Sequence, residues 1–426
     1  LASLGERATL PADLAPFALV AAGLALAAHL AVRWLAPRAD GVLLGLAVLL
    51  TGIGFVVIAR LDADLARYQS AWTAVGVGVF VATLAVVRRI RDLERYRYTF
   101  ALVGLVALGL PMLPIIGREI NGARLWVSIG PLNFQPGEAA KVALVIFLAA
   151  YLVEKRELLS VGTYRYGPLM LPDPRHLAPL LAAWGFSILV MVREKDLGSS
   201  LLFFAVFLAM VYMATARGAY LAIGGAMFAA GAVFAYTAFG HVEDRVTTWL
   251  DPWPDAEDRG FQLVQSLFAF GSGGFAGSGL GLGSPGQIPN VETDFVFAAI
   301  GEELGLLGTS AVLVVYLLFV AVGFRISLRA TQPFLKLLAA GLTTIVGVQT
   351  FIILGGVTRL IPLTGITMPF VSYGGSSLVA NFAILALLLR ISDETARRAE
   401  RAPNPSTAEK AQWGAAGEDG VRDPVS

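Results

Sequence analysis

The sequence contains no cysteine among its 426 residues and only three histidines, which are scattered along the chain. The absence of cysteine excludes disulfides, thiol catalysis and cysteine-based zinc sites. Scattered histidines do not favour a histidine-based metal site. Any metal ion would therefore need carboxylate ligands, which suit Mg, Ca or Mn.

Charge is also scarce. Charged residues make up 15% of the chain, whereas about 25% is usual for a soluble domain. The net charge of +1 does not provide the basic field that nucleic-acid binding needs. Hydrophobic residues make up 56% and the mean hydropathy is +0.71. Many segments reach the roughly 20 apolar residues that cross a bilayer. The composition predicts an all-α polytopic membrane protein.

Hydropathy predicts eleven spans, at residues 13–35, 41–60, 69–87, 98–116, 138–153, 177–192, 198–214, 218–238, 295–322, 333–355 and 370–390. If these spans alternate, the arginine-rich loops at 88–97, 154–176 and 323–332 share one side with the C-terminal tail. That side is expected to be cytoplasmic.

This orientation places the long loop 239–294 outside the cytoplasm. Residues 1–40 are interpreted as an extra N-terminal membrane segment whose upstream part is expected to be missing. Residues 41–391 would form the transmembrane core, and 392–426 a disordered cytoplasmic tail.

Ionisable residues stand at unusual places in the predicted outer segments. Glu138 and Lys141 open a span at i,i+3 spacing and so share one helix face. They are either a helix-start carboxylate and a snorkelling lysine, or a buried ion pair lining a polar cavity. In the turn REKDLGSS, Asp196 either caps the next helix or joins that cavity with Lys195.

The acidic residues of the stretch NVETDFVFAAIGEELGLLG also allow either a structural or a functional interpretation. Thr293 or Asp294 could cap the helix that follows, or Asp294 could carry chemistry. Glu302 and Glu303 lie two turns further in, where at least one is expected to pair with a basic group. The preceding glycine-rich segment 271–286 lacks the lysine of a phosphate-binding Walker loop, so its glycines are interpreted as turn formers. Before it, FQLVQSLFAF is expected to form an amphipathic helix at the membrane surface.

The motifs GARLWVSIGPLNFQPGEAAK, KDLGSS, GFQLVQSLFAFGSGG, TDFVFAAIGEELGLLG and PFVSYGGSS together resemble the SEDS family (shape, elongation, division and sporulation), whose members include RodA and FtsW. The resemblance covers roughly residues 41–391, and the extra N-terminal segment is similar to that of the longer RodA-type members. It implies a bundle of ten core transmembrane helices plus at least one extra N-terminal helix.

The resemblance also implies an activity: a peptidoglycan glycosyltransferase that polymerises lipid II at the outer face of the bacterial cytoplasmic membrane, for cell elongation and shape. Its implied partner is a class B penicillin-binding protein, with membrane lipids around it. Flipping or transport of lipid II, an FtsW-like role in division, and a scaffold without activity are the alternatives.

Asp294, in ETDF, matches the family's essential acidic residue. Because transfer from an α-linked pyrophosphate to a β-1,4 product inverts the sugar, a carboxylate can serve as general base. The candidate substrate-binding residues are Arg124, Trp126, Arg193, Gln265, Ser266, Arg359, Ser372 and Tyr373. The candidate residues of the polar cavity are Glu138, Lys141, Lys195, Asp196, Glu302 and Glu303. Arginines, including Arg259, or a divalent cation (Mg or Mn) could neutralise the leaving pyrophosphate. The sequence shows no dedicated metal site.

Overall fold

The computed structural model describes residues 14–114, 116–120, 123–129, 132–160, 164–166, 169–171 and 174–401. Its α-helices, in chain order, are α1 Leu14–Leu35, α2 Gly41–Leu61, α3 Ala63–Val86, α4 Arg91–Arg95, α5 Arg97–Gly109, α6 Pro136–Glu154, α7 Arg156–Ser160, α8 Pro174–Arg193, α9 Leu197–Thr215, α10 Gly218–Ala238, α11 Gly240–Leu250, α12 Phe261–Gly273, α13 Val296–Arg329, α14 Pro333–Val357 and α15 Gly375–Arg401. The strands are β1 Gly117–Ile120, β2 Ala123–Ile129, β3 Leu132–Phe134, β4 Tyr164–Tyr166 and β5 Leu169–Leu171.

Each predicted span contains a helix. In the described part of the chain, eight helices are long and apolar enough to cross a membrane, and two shorter apolar helices lie at 19–35 and 97–112. The predicted class, a polytopic helical membrane protein, is confirmed. The central helices are α14 and α15, whose most apolar windows are 78% buried inside the protein, whereas that of α10 is 6% buried. Because α10 exposes an apolar surface almost all round, it belongs at the lipid-facing periphery.

Two small β-sheets accompany the helices. Strands β1, β2 and β3 form an antiparallel sheet in which Arg118 pairs with Trp126 and Ser128 with Asn133. Strands β4 and β5 form a second, two-stranded sheet. The span predicted at 98–116 accordingly ends early, because the chain turns at Pro111 before entering β1.

The predicted boundary of the C-terminal tail is also wrong by ten residues, because α15 continues to Arg401. A buried carboxylate stabilises the last turns of α15. Asp393 forms ion pairs with Arg390 at 3.5 Å and with Arg397 at 2.8 Å. It also accepts a hydrogen bond from the backbone N–H of Arg38 at 3.0 Å. Residues 402–426, like residues 1–13, lie outside the described ranges.

Helix α13 is broken at Gly305, whose φ of 62° lies in the left-handed region. Beside the break, the glycine-rich segment supplies the missing hydrogen bonds. The Ser278 and Gly279 N–H groups donate to the carbonyls of residues 302 and 303, at 2.9 and 3.0 Å. In the other direction, the N–H groups of Leu306 and Leu307 donate to the carbonyls of residues 274 and 275. We call this the α13 splice.

Candidate active site

Asp294 lies in a turn immediately before α13, whose N-cap is Phe295. No side chain caps this helix, so the capping interpretation of Thr293 and Asp294 is wrong. The Asp294 carboxylate is half-buried and accepts a side-chain hydrogen bond from Thr293.

Arg245, on the amphipathic helix α11, faces the same place. Its guanidinium donates from Nη1 to the carbonyl of Leu363 at 3.1 Å. A Cβ atom added to Gly365 would lie 3.6 Å from Asp294 Oδ2 and 3.9 Å from Arg245 Nη2. The carboxylate and the guanidinium thus flank one glycine, which has a φ of 75° and leaves the space between them open.

The electrostatic environment suits Asp294 to proton transfer. Burial raises its pKa to about 6, and the charges of Glu292 and Asp196 add to the rise. Arg245 and Thr293 oppose it. A carboxylate with a pKa near 6 is a stronger base than a free aspartate, yet it is still ionised at neutral pH.

The last inter-helix loop, 358–374, supports the backbone of the TDF motif. The Ser372 hydroxyl donates to the carbonyl of Thr293 and accepts from the N–H of Met368. The Tyr373 N–H donates to the carbonyl of Glu292 at 2.8 Å. In this structure Ser372 and Tyr373 therefore position the turn that carries Asp294.

A buried polar chain reaches this loop from α6. Lys141 Nζ lies 2.5 Å from a carboxylate oxygen of Glu138, and both side chains are largely buried. Lys141 also donates to Gln349 Oε1 at 2.8 Å, and Gln349 Nε2 donates to the carbonyl of Thr367 at 2.8 Å. The predicted Glu138–Lys141 ion pair is confirmed, and the snorkelling alternative is wrong.

The turn between α8 and α9 contains two buried carboxylates. Asp196 caps α9, accepting from the Ser199 N–H at 2.9 Å, so its predicted capping role is confirmed. It is also buried and interacts electrostatically with Arg245 and Glu138; burial raises its pKa. Burial, reinforced by Asp196, raises the pKa of Glu194 to about 8, which leaves Glu194 neutral at pH 7.

The side chains of Glu302 and Glu303 stabilise the α13 splice. Glu302 Oε1 accepts from the Ser284 N–H at 2.8 Å. Glu303 is buried and forms an ion pair with Arg60 of α2 at 3.3 Å, and Arg60 also donates to the carbonyl of Gly283 at 3.1 Å. The predicted basic partner within the bundle is therefore Arg60.

Several other candidates contact protein groups. The buried Ser266 hydroxyl of α12 donates to the carbonyl of Val357 at 3.1 Å. Arg359 donates to the carbonyls of Trp249 and Leu250. Arg259 forms ion pairs with Asp244 and Asp255.

The remaining candidates lie at or near the surface. Arg124 is exposed on β2, 3.8 Å from Glu119, and Trp126 is half-buried on the same strand. Gln265 is half-buried on α12. Arg193, the last residue of α8, and Lys195, in the turn before α9, are exposed. Their contacts with substrate stay predictions.

The arrangement of these motifs matches a known family. A family model described as a cell cycle protein, FtsW/RodA/SpoVE, matches residues 41–397. The chain belongs to the FtsW/RodA/SpoVE family. The SEDS resemblance in the sequence is therefore confirmed, and the match extends through most of α15.

Relatives within the FtsW/RodA/SpoVE family include proteins from mycobacteria. The chain is 47% identical to the peptidoglycan glycosyltransferase RodA of Mycobacterium tuberculosis, over 93% of this chain and 88% of that protein. It is 34% identical to a probable peptidoglycan glycosyltransferase FtsW of Geobacter sulfurreducens, over 83% of this chain and 95% of that protein. The chain is thus more similar to this RodA than to this FtsW.

Solved structures of the family share the fold. The crystal structure of the rod shape determining protein RodA of Thermus thermophilus is 28% identical, with a TM-score of 0.62, and the match covers 84% of this chain and 98% of that one. A chain from a peptidoglycan synthase complex that coordinates polymerization and crosslinking is 27% identical, with a TM-score of 0.69, covering 84% and 98%.

Sequence reasoning did not select Arg245 as a site residue. The hydropathy pattern places its segment, HVEDRVTTWL, in the long loop 239–294. Helix α11 instead presents a polar face and an apolar face, so it can lie along the end of the bundle and direct Arg245 toward Asp294. Helical periodicity in residues 240–250 was the signal that could have identified it.

Proposed function

We propose that this protein is a peptidoglycan glycosyltransferase that polymerises lipid II for cell elongation and shape, with Asp294 as its general base. The observation that carries the proposal is the half-buried Asp294 carboxylate, with a pKa raised to about 6, facing Arg245 across the open space at Gly365. Membership of the family and the 47% identity to mycobacterial RodA support the activity. The greater similarity to that RodA than to an FtsW favours elongation over division.

In the proposed reaction, the 4-hydroxyl of the acceptor sugar attacks the anomeric carbon of the donor sugar. Its proton passes to Asp294, a new β-1,4 C–O bond forms, and the bond between the anomeric carbon and the pyrophosphate oxygen breaks. The electron pair of that bond leaves with the lipid pyrophosphate. The configuration is inverted in a single displacement, as in inverting glycosidases.

The leaving pyrophosphate needs a positive charge beside it, and Arg245 is the best-placed arginine. Its Nη1 is held by the carbonyl of Leu363, while Nη2 faces the open space beside Asp294. Arginine suits this task because its planar fork can bind phosphate oxygens. Together with the hydrogen bond from Thr293, the charge of Arg245 opposes the rise in the pKa of Asp294.

A divalent cation is not assigned to the site. In the described residues, no group of three or more His, Asp or Glu side chains is arranged to hold a metal ion. The participation of Mg or Mn stays a prediction, and no step of the proposed reaction passes through a metal.

The activity is tested with purified protein and fluorescently labelled lipid II. We expect glycan polymer without any other enzyme present, because base and phosphate-binding groups come from this one chain. A flippase would move lipid II across a vesicle membrane without polymerising it, and a scaffold would do neither. Transport without polymer, or no turnover by folded protein, would contradict the proposal.

We further propose that the catalytic end of the bundle faces away from the cytoplasm, because the arginine-rich loops lie at the other end of the spans. Single cysteines introduced at exposed Ser272 and at Ser406, which lies beyond the described residues, can be labelled in intact cells with an impermeant maleimide. Labelling is expected at residue 272 only. The reverse pattern would overturn the orientation.

The proposed partner is a class B penicillin-binding protein. A polymerase alone makes uncrosslinked glycan, so coupling to a transpeptidase completes the wall. The similarity to a chain of a synthase complex that coordinates polymerization and crosslinking supports this assignment.

A further inference from the structure

A cluster of exposed arginines lies where α1 and α3 end, at the opposite end of these helices from the candidate site. Arg33 is in the last turn of α1, and Arg88, Arg89, Arg91 and Arg95 lie in and beside α4. We call these five residues the α1–α4 arginine cluster. Within the described chain, none of them forms an ion pair, unlike the neighbouring Arg97, which binds Glu154.

The cluster stands on a rigid support. Arg390 of α15 donates from Nη1 to the carbonyl of Leu35 at 2.6 Å and from Nη2 to the carbonyl of Leu84. One guanidinium therefore holds the ends of α1 and α3 side by side. The Ile90 N–H, between α3 and α4, donates to Glu394 Oε2 at 3.0 Å. The arginines are consequently gathered on one surface before any ligand binds.

Large exposed side chains surround the cluster. Trp34 is 81% exposed, Val86 80%, Tyr96 54% and Tyr98 56%. Tryptophan and tyrosine are favoured at the boundary between lipid tails and water. A bilayer would cover these four side chains and thereby place the neighbouring guanidinium groups at the level of the headgroups.

We propose that the α1–α4 arginine cluster binds the phosphates of anionic phospholipids. The planar guanidinium can bind two phosphate oxygens at once. Among the residues that the structure describes, no carboxylate forms an ion pair with these five arginines. Asp92 and Glu94 lie in the same segment, but five arginines leave a net positive charge. The site is remote from Asp294, so its test does not depend on the proposed reaction.

The test is a lipid titration of the full-length purified protein, with bound lipid counted by native mass spectrometry. Phosphatidylglycerol is the anionic probe and phosphatidylcholine the zwitterionic one. The variant carries Arg88→Gln, Arg89→Gln and Arg91→Gln. Since a basic residue at a membrane surface contributes about 1 kcal/mol, or about 5-fold, the triple variant should bind phosphatidylglycerol about 100-fold more weakly. Binding of phosphatidylcholine should not change.

The matched control carries Arg156→Gln, Arg217→Gln and Arg329→Gln, which removes the same charge from the same predicted side. Its three arginines lie on three different segments, at the start of α7, before α10 and at the end of α13. A single bound lipid is therefore expected to lose one of these charges rather than three, so phosphatidylglycerol binding should weaken by about 5-fold at most. An equal loss in both variants would show that only the net charge of this side matters, and it would overturn the proposal. Unchanged binding in the cluster variant would also overturn it.

If the glutamine variant does not fold, a triple Arg→Lys variant at the same three positions tests the proposal. It keeps the charge but loses the bidentate contact, so weakened binding supports the site and wild-type binding refutes it.

Discussion

Replacing Asp294 with asparagine is expected to reduce polymerisation of labelled lipid II by about 10²–10⁴-fold, the usual contribution of a general base. Asparagine keeps the shape of the side chain but cannot accept the proton from the acceptor hydroxyl. Asp294→Glu keeps the carboxylate but displaces it, and an offset of about 1 Å can cost about 10²-fold. Near-normal polymer from folded Asp294→Asn protein would refute the assignment.

The same substitution at exposed Asp258, Asp258→Asn, is the matched control and should leave the polymerisation rate unchanged.

The wild-type polymerisation rate should fall as the pH drops through about 6, where Asp294 becomes protonated. Because its folded pKa is raised from 3.8 to about 6, ionisation of Asp294 costs stability that accumulates between these two values. The asparagine variant should therefore be at least as stable as the wild type at pH 7.5, which separates loss of the base from misfolding.

Replacing Lys141 with alanine is expected to destabilise the protein by about 3–5 kcal/mol, because it leaves the Glu138 carboxylate buried without its partner. Lys141 also donates to Gln349, which in turn bonds to the backbone of the loop that supports Asp294. We therefore expect polymerisation to fall together with thermal stability, measured by unfolding of the detergent-purified variant.

Lys336→Ala removes an exposed lysine and serves as the control, with little expected effect. A double variant, Glu138→Gln with Lys141→Met, removes both charges and should recover much of the lost stability, since no lone charge remains. If Lys141→Ala and Lys336→Ala unfold at the same temperature and polymerise equally well, the ion pair contributes nothing to the fold.

The sequence was sufficient for the membrane spans and for part of the site. Hydropathy locates helices because a bilayer imposes one length and one polarity on each of them. The i,i+3 spacing of Glu138 and Lys141 predicted their pairing, because that spacing fixes a shared helix face. The need to neutralise a buried carboxylate predicted a basic partner for Glu302 or Glu303, but it could not identify Arg60, which is distant in the sequence.

What the sequence did not predict depends on contacts between distant segments. The strands β1 to β3 are three to seven residues long, too short for a clear alternation of polar and apolar side chains. The proximity of Arg245 to Asp294 depends on how α11 lies across the bundle and on the bare backbone of Gly365 between them. The extension of α15 depends on the burial of Asp393, which no local pattern reveals.

The α13 splice has a consequence for how the protein is made. A helix interrupted at Gly305 exposes backbone groups that cost several kcal/mol each if hydrocarbon surrounds them. Their partners are in the residues 274–279, which a ribosome synthesises first. If α13 inserts as the chain emerges and the orientation is the proposed one, those residues must cross the membrane before α13 inserts. In the proposed orientation, export of the glycine-rich segment and insertion of α13 are therefore successive stages of one assembly step. A nascent chain delayed between these stages would expose unpaired backbone groups to the cell's quality-control proteases.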